Sequence, residues 1–579
     1  MSRRATVLLL LAAVALQAGL AIDAMRGNSA TFDEGAHLPA GYTYLALGDH
    51  RLNPEHPPLV KLLAAAPLLA VGPVLKRDDR AWAEARQWEF GQRFLYRWND
   101  ADRLLFLGRL PMVALASCLL LAVFLEARRR FGLPAAAAAL GLAALSPDLL
   151  GHGGLVTTDV GFALFYFLSV TTFVRLLERA TAGRWLAAGL ATGAAFATKF
   201  SAPVLVPLLL SFVIAGALGV VPQGAWREGA PAGPLSRARH ALARLAAVGL
   251  VALAVVWAAY GFRHPLSPDP AVREAARARF AQQASSPALR LVVAAADAGV
   301  VPEDYARGLA FVVSQSVSRP TFLLGELSDR PFGTYFLVTF LFKTPLPLLL
   351  LLGLALARAP CLAREDALFV GLPVLVYVLL TATRGLQIGH RHLLPLYPFL
   401  FLAAGEAAVR LAAWRRPAGL VLAALLGLWY AGGTLRNHPH HLAYFNELAG
   451  GPANGWRLLV DSNLDWGQDL KRLAEWMRQN RVPRVKLSYF GSADPAYYGI
   501  DGENLPGYRS PHPARVTREI APGDVLAVSA TNLQGVYLDP ADRPLMERIR
   551  RLEPIGRAGW SILVYRADFA WPLPAGAAP

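Results

Sequence analysis

Charge is what this sequence has least of. Only 17% of its 579 residues are Asp, Glu, Lys or Arg, against about a quarter in a soluble globular chain. With 55% of the residues hydrophobic, that shortage excludes a single soluble core and points to long apolar runs. Acidic residues are the scarcer kind: 41 Asp and Glu against 57 Lys and Arg leave a net charge of +16. Such a surplus can signal nucleic acid. Here the basic residues are scattered over short connections between apolar runs, which argues against that partner and for a lipid bilayer. Two cysteines, Cys118 in an apolar run and Cys361 in a basic connection, give no disulfide framework. No phosphate-binding P-loop is present, so ATP is not the energy source. There is no internal repeat and no low-complexity segment beyond the Ala/Leu bias of the spans.

What is there is a series of apolar segments. A spanning helix needs about 20 mostly apolar residues. Eleven segments qualify: Val7–Ile22, Leu104–Leu125, Pro134–Leu150, Val160–Leu177, Trp185–Ala197, Ser201–Val221, Ala243–Phe262, Phe332–Ala357, Ala367–Ala382, Leu393–Ala413 and Ala418–Thr434, the fifth being short. Arg3 and Arg4 precede the first, and no convincing cleavage site follows Ile22, so it reads as an uncleaved span. Basic clusters (Arg128 to Arg130, Arg175 to Arg184, Arg227 to Arg244, Arg358 to Arg364, Arg415 and Arg416) fall on alternate connections. The positive-inside rule puts those in the cytoplasm. The N-terminus is then inside, and outer loops 23–103 and 263–331 and everything after residue 436 are extracytoplasmic. Trp82, Trp88, Phe90, Phe94, Tyr96 and Trp98 in the first outer loop predict helices lying at the headgroup level. Ala271–Gln283 in the second predicts a helix, either a lid or a solvated connection.

From residue 437 the apolar runs shorten to strand length, at Arg457–Val460, Val485–Phe490, Val525–Ser529 and Ser561–Tyr565, with a helical pattern at Leu470–Gln479. The expectation is a polytopic α-helical membrane protein, residues 1–436, carrying a C-terminal α/β domain, residues 437–579.

Chemistry concentrates in the first outer loop. Asp33 and Glu34 follow the first span; a carboxylate there can act as a general base, and an adjacent pair can bind a divalent cation. Both also read as a solvated pair at a helix end. Next comes His56-Pro57-Pro58-Leu59-Val60-Lys61. Proline fixes the backbone, so His56 and Lys61 stand in a defined relation, and a lysine ammonium is a partner for phosphate. The alternative is an exposed turn with a snorkelling lysine. Further ionisable residues stand at outer helix ends or within spans: Arg109, Asp159, Lys199, Lys343, and the two histidines of His390-Arg391-His392. Charges at membrane depth are costly and suggest function, each against a structural-pairing alternative. The excess of cations on one side predicts a bound anion. His390 and His392 also raise a metal site, though no further ligand set has metal spacing. Asp461-Ser462-Asn463-Leu464-Asp465-Trp466-Gly467 fails the EF-hand pattern and reads as a strand-to-helix loop with Asp caps.

An Asp-Glu pair after the first span, then His-Pro-Pro-Leu-x-Lys, resembles the protein O-mannosyltransferase and aminoarabinose-transferase group of glycosyltransferase family 39, within the GT-C superfamily. The likeness continues through Arg109-Leu110-Pro111, Thr157-Thr158-Asp159, Ala197-Thr198-Lys199, Lys343-Thr344-Pro345 and His392-Leu393-Leu394-Pro395, and the tail with Tyr444-Phe445-Asn446-Glu447 and Asp461 to Asp469 resembles bacterial members. The resemblance implies an outward-facing glycosyltransferase of a bacterial inner membrane, fed by a polyprenyl-phosphate-linked sugar. Asp33 would be the base and Glu34 its neighbour, positioning the acceptor or a metal. Lys61, Arg109 and Lys199 would hold the carrier phosphate in a pocket shaped by His56, and Asp159 would line the site. Transfer would invert the anomeric centre in one displacement, to a protein, lipid or glycan acceptor. No cofactor is required beyond a possible divalent cation. The rival is a transporter or flippase of lipid-linked sugars, which the absence of repeated halves disfavours.

Overall fold

The computed structural model describes residues 2–218, 233–264, 267, 269–283, 286–315, 319–382, 385–508 and 516–572. Its helices follow the apolar runs. They are α1 (Arg3–Arg26), α2 (Glu34–Leu47), α3 (Leu59–Ala65), α4 (Ala101–Ala144), α5 (Thr158–Glu178), α6 (Ala182–Phe196), α7 (Leu205–Ala217), α8 (Pro234–Ala259), α9 (Tyr335–Lys343), α10 (Leu346–Arg358), α11 (Arg364–Ala382), α12 (Tyr397–Ala413) and α13 (Ala418–Arg436). The eleven expected spans all fall on these helices, the second and third together on α4 and the eighth on both α9 and α10. The last residues of the sixth, 219–221, lie outside the described residues, as do 227–232 of one basic connection and 383–384 of one loop.

Among the described residues six helices are long and apolar enough to cross a bilayer, or seven if one bent pair counts as a span. The arithmetic differs from eleven for physical reasons. Spans two and three form one 44-residue helix, α4, broken at Gly132, whose φ of 83° only glycine adopts without strain. The eighth span is broken, its halves α9 and α10 meeting at 116°. Thr344 there is extended and Pro345 and Pro347 lack N–H donors, so the helix cannot continue. Other spans are shorter than the membrane is thick, as α6 and α7 are. Large side chains such as Leu8, Leu250, Leu356 and Leu428 point outward from the bundle, as the walls of a multi-pass membrane protein do. Its interior core joins α4, α5 and α12 through Phe124, Phe167, Phe173 and Phe399.

Past α13, a five-stranded mixed sheet forms in the order β4-β3-β5-β7-β6, from β3 (Val485–Ser488), β4 (Gly502–Asn504), β5 (Val525–Ser529), β6 (Gly556–Ala558) and β7 (Ile562–Arg566). A separate hairpin, β1 (Thr321–Leu323) with β2 (Glu326–Ser328), precedes α9. Helices α14 (Leu470–Gln479) and α15 (Arg543–Arg550) cover the sheet with one apolar face each, Leu470, Leu473 and Met477 on the first. Three of the expected strands and the helix appear; Arg457–Val460 does not, being a turn before a short 3₁₀ segment. The expected Ala271–Gln283 helix forms as Pro270–Gln283, in the loop that precedes the hairpin.

The aromatic stretch of the first outer loop turns much of its apolar surface inward. Phe90, Phe94 and Tyr96 are buried in a core shared with Leu473, Val485, Leu487, Ile562 and Val564 of the C-terminal domain. Periodicity cannot distinguish a ring that faces lipid from one that faces another domain. The loop and the domain therefore pack as one body above the helices.

Candidate active site

Asp33 stands at the N-terminus of α2, where an aspartate ordinarily caps the helix through its side chain. No such cap forms here. The carboxylate instead accepts from Arg391 Nη1 at 2.9 Å, and the same Nη1 reaches Asp159 Oδ2 at 3.3 Å. Lys199 Nζ closes the row on Asp159 Oδ1 at 2.5 Å. Two carboxylates and two cations thus alternate, from the first loop, α5, the α6–α7 connection and the turn before α12. Asp159 is fully buried, whereas Asp33 keeps 19% of its side chain exposed. Asp33 is the carboxylate of the row that a second molecule can touch. The Arg391 guanidinium also lies 4.2 Å from the Trp466 ring.

The backbone around Asp33 is held by the C-terminal domain. Ser29 N and Phe32 N donate to the carbonyls of Gln468 and Trp466, at 3.0 and 2.8 Å. Ser492 Oγ donates to the carbonyls of Thr31 and Phe32.

Asp33 faces a cavity of ≈ 530 Å³, also lined by His37, His56, Lys199, Arg319, Arg391, His392 and Asp461, with Trp466 and further aromatic rings on one side. His56 reaches it as a neutral imidazole: burial, with His37, Lys199 and Lys61 nearby, holds its pKa well below the usual histidine value. Burial raises Asp461, opposed by the Tyr537 hydroxyl that donates to it. Phe311 and Arg319 bring the second outer loop to the rim. A second cavity, ≈ 470 Å³, is walled by apolar side chains of α9 to α12, among them Phe336, Leu352, Val374 and Leu400. The two share a boundary segment. Leu386, Ile388 and His392 face the first, Gln387 and Leu393 the second.

Of the residues singled out in the sequence, Asp33, His56, Lys199 and His392 line the cavity and Asp159 braces it from behind. The others do not line it. Glu34 is sealed: it accepts from Arg109 Nε at 2.8 Å and Nη2 at 2.6 Å, from Thr31 N and Oγ1, and from Val156 N. Burial would raise its pKa; Arg109 and those donors hold it below the usual value instead. Arg109 spends its remaining donors on the carbonyls of Met25, Asn28 and Ser29. This pair bolts α1, the first loop and α4 together and offers nothing to an acceptor or a phosphate. Lys61 donates to Tyr44 Oη and to Asn53 O, Asn53 Oδ1 and His56 O, all within 3.0 Å, and so fixes the Pro57-Pro58 turn from inside. Burial brings its pKa down to about 7, against the pull of Glu55 and Asp304. Lys343 donates to the carbonyls of Leu442 and Asn463. His390 Nε2 lies 2.7 Å from Tyr397 Oη and faces away from the cavity. Asp33 faces the cavity while the Glu34 carboxylate is taken up by Arg109, Thr31 and Val156; among the described residues no group of three or more His, Cys, Asp or Glu is placed to hold a metal. The residues missed in the sequence are Arg391, Arg319, His37 and Asp461. Asp461 carried a signal, an acidic residue in an Asp-rich loop, but Asp465 and Asp469 of that loop brace the domain, accepting from Thr531 N and from Trp560 N and Ser561 N.

Comparison with known proteins agrees with this architecture. The crystal structure of ArnT from Cupriavidus metallidurans bound to undecaprenyl phosphate superposes with a TM-score of 0.50 at 14% identity, covering 97% of this chain and 98% of that one. AglB, the oligosaccharyltransferase of Archaeoglobus fulgidus in complex with an inhibitory peptide and a dolichol-phosphate, matches at 12% identity and a TM-score of 0.48, over 98% of this chain and 75% of that one. No curated protein matches by sequence. The chain shares the fold of that ArnT structure over nearly its whole length. Within it, residues 102–221 match the family described as dolichyl-phosphate-mannose-protein mannosyltransferase.

Proposed function

We propose that the protein transfers a sugar from a polyprenyl-phosphate carrier to a hydroxyl acceptor, with Asp33 as general base. The observation that carries this reading is the Asp33–Arg391–Asp159–Lys199 row at the meeting of a polar and an apolar cavity. A polyprenyl-phosphate sugar has the same division: an apolar tail for the α9–α12 groove, a phosphate for Lys199 and Arg391, and a sugar beyond it. ArnT, whose fold this chain shares, was crystallised bound to undecaprenyl phosphate, a carrier of this chemical class. Asp33 takes the acceptor proton as the acceptor oxygen bonds to the anomeric carbon. The bond from that carbon to the phosphate oxygen breaks, with inversion, and both electrons leave on the lipid phosphate. The cations stabilise the charge that develops there. The sugar is a hexose, mannose being the first candidate from the matched family. An extracytoplasmic site is supported by the arginines on the far side of the bundle from Asp33: Arg129 and Arg130 beside the α4 break, Arg175 at the end of α5 and Arg184 at the start of α6.

The test gives purified protein undecaprenyl-phosphate mannose with a cell-envelope extract and follows release of undecaprenyl phosphate. Asp33→Asn keeps shape and loses the base, so turnover falls by about 10²-fold or more. Equal turnover by both proteins sinks the assignment, and movement of the donor across vesicles without consumption favours the transporter.

A further inference from the structure

The cavity has a second wall that the transfer reading leaves unused. Phe32, Trp88, Phe490, Tyr508 and Tyr537 line it on the side of the C-terminal domain. The rings pack against one another, with Phe490 buried at the centre and Trp88 and Tyr508 more exposed at the edges. Phe32 lies 4.7 Å from Trp88, 5.5 Å from Phe490 and 5.4 Å from Tyr508, ring centre to ring centre. Tyr537 extends this wall, 5.7 Å from Phe490 and 5.2 Å from Tyr508. Polar groups stand at its edge. Tyr537 Oη donates to Asp461 Oδ2 at 2.6 Å, and Arg319 borders the same space. Asp461 has a φ of 55°, a left-handed backbone that an aspartate adopts only at a cost. Strain of this kind is retained where the surroundings enforce it, commonly in binding sites.

We infer that this wall, together with Asp461 and Arg319, is the acceptor subsite and that it takes the pyranose ring of a carbohydrate. The inference rests on the transfer reading for the word acceptor, and on geometry for the rest. A pyranose has a C–H face and a rim of hydroxyls. The negative face of an aromatic ring attracts polarised C–H groups, while a carboxylate and a guanidinium pair with hydroxyls on the rim. A lipid tail would be served by aliphatic walls, and those form the other cavity, where Leu, Val and Ala prevail. Position completes the assignment. The apolar cavity adjoins the polar one beside Ile388 and His392, while Phe32 immediately precedes Asp33 on the aromatic side. A carrier lying in the groove and an acceptor lying on the wall therefore meet at Asp33.

Binding, not turnover, is the test. Saturation-transfer NMR on the full chain in nanodiscs would use methyl α-D-mannopyranoside, methyl β-D-glucopyranoside and N-acetylglucosamine as probes, beside a Ser/Thr-containing octapeptide. Ring C–H protons of at least one glycoside should receive saturation, in wild type and in Asp33→Asn alike. Tyr508→Leu and Trp88→Leu, each at a partly exposed ring, should weaken that glycoside at least tenfold with an unchanged melting temperature. No saturation of any glycoside overturns the inference. So does saturation that both leucine variants leave intact, or saturation confined to the peptide. Glycoside binding that meets these expectations, combined with donor turnover indifferent to Asp33→Asn, would leave the sugar site standing and remove the transferase reading.

Discussion

At the scale of residues, adjacent positions in this site have unlike duties. Asp33 reaches the cavity and Glu34 turns into the protein, because the first residue of α2 and the residue before it leave the helix in different directions. A buried pair broken from one side leaves an uncompensated charge, at a cost of about 3–5 kcal/mol. Arg109→Ala should therefore lower the melting temperature or abolish expression, whereas Asp33→Asn should melt near wild type and lose turnover; a thermal-shift comparison of the two purified proteins checks the contrast. Lys61 and Lys199 divide in the same way. Lys61→Met should lower stability, because the carbonyls of Asn53 and His56 lose their donor. Lys199→Met should instead lower the rate of donor consumption, at matched folding. The sequence carried both lysines as equivalent phosphate ligands, since each follows an apolar stretch and nothing local says which ammonium is already satisfied. Arg391 was hidden differently. It lies between two histidines in a 3₁₀ turn, His390–Leu396, where consecutive side chains diverge by about 120° at three residues per turn. His390 faces inward, and Arg391 and His392 face the cavity.

At the scale of elements, the loop from Asp461 to Asp469 decides how the C-terminal domain sits on the site, and it does so with buried carboxyls. Asp465 Oδ2 accepts from Thr531 N at 2.8 Å, while its Oδ1 is buried without a partner. Burial pushes its pKa up to about 8, with Asp461 and Asp469 adding to the rise. In the unfolded chain it titrates near 3.9. Between those values the folded state holds a proton that the unfolded state has released, so this carboxyl's contribution to stability falls as pH rises from about 4 and is gone above about 8. Asp465→Asn carries no titrating proton and should flatten that slope. Melting temperatures at pH 5.5 and pH 8.5 should differ less in the variant than in wild type, and an unchanged difference would move the pH dependence elsewhere. Elements were legible where one periodicity served one environment: α14 has the bounds read from the sequence, and β5 likewise. They were misread where packing chose between environments, as for the rings of Phe90 and Phe94, or where a proline set a bend, as at Pro345.

At the scale of the whole molecule, the helices and the C-terminal domain do not divide into a catalytic part and an appendage. The loop bearing Asp33 is hydrogen-bonded to Trp466 and Gln468 and shares a core with the sheet, so the site is assembled from both ends of the chain. That arrangement has a side. If Asp33 and the domain are extracytoplasmic, the α10–α11 connection is in the cytoplasm, and it holds one of the two cysteines. Cys361 is exposed there, and Cys118, the other, is exposed along α4 inside the second expected span, so it should face hydrocarbon. A membrane-impermeant maleimide reacts with a thiolate in water and cannot reach one in hydrocarbon. It should label Cys361 in inverted vesicles and not in right-side-out ones, with Cys361→Ser removing the signal. Labelling from the outer side would invert the whole molecule, placing Asp33 and its acceptor wall in the cytoplasm. The positive-inside pattern of Arg129, Arg130, Arg175 and Arg184 would then have misled, and a carrier presented on the outer leaflet could not be the donor.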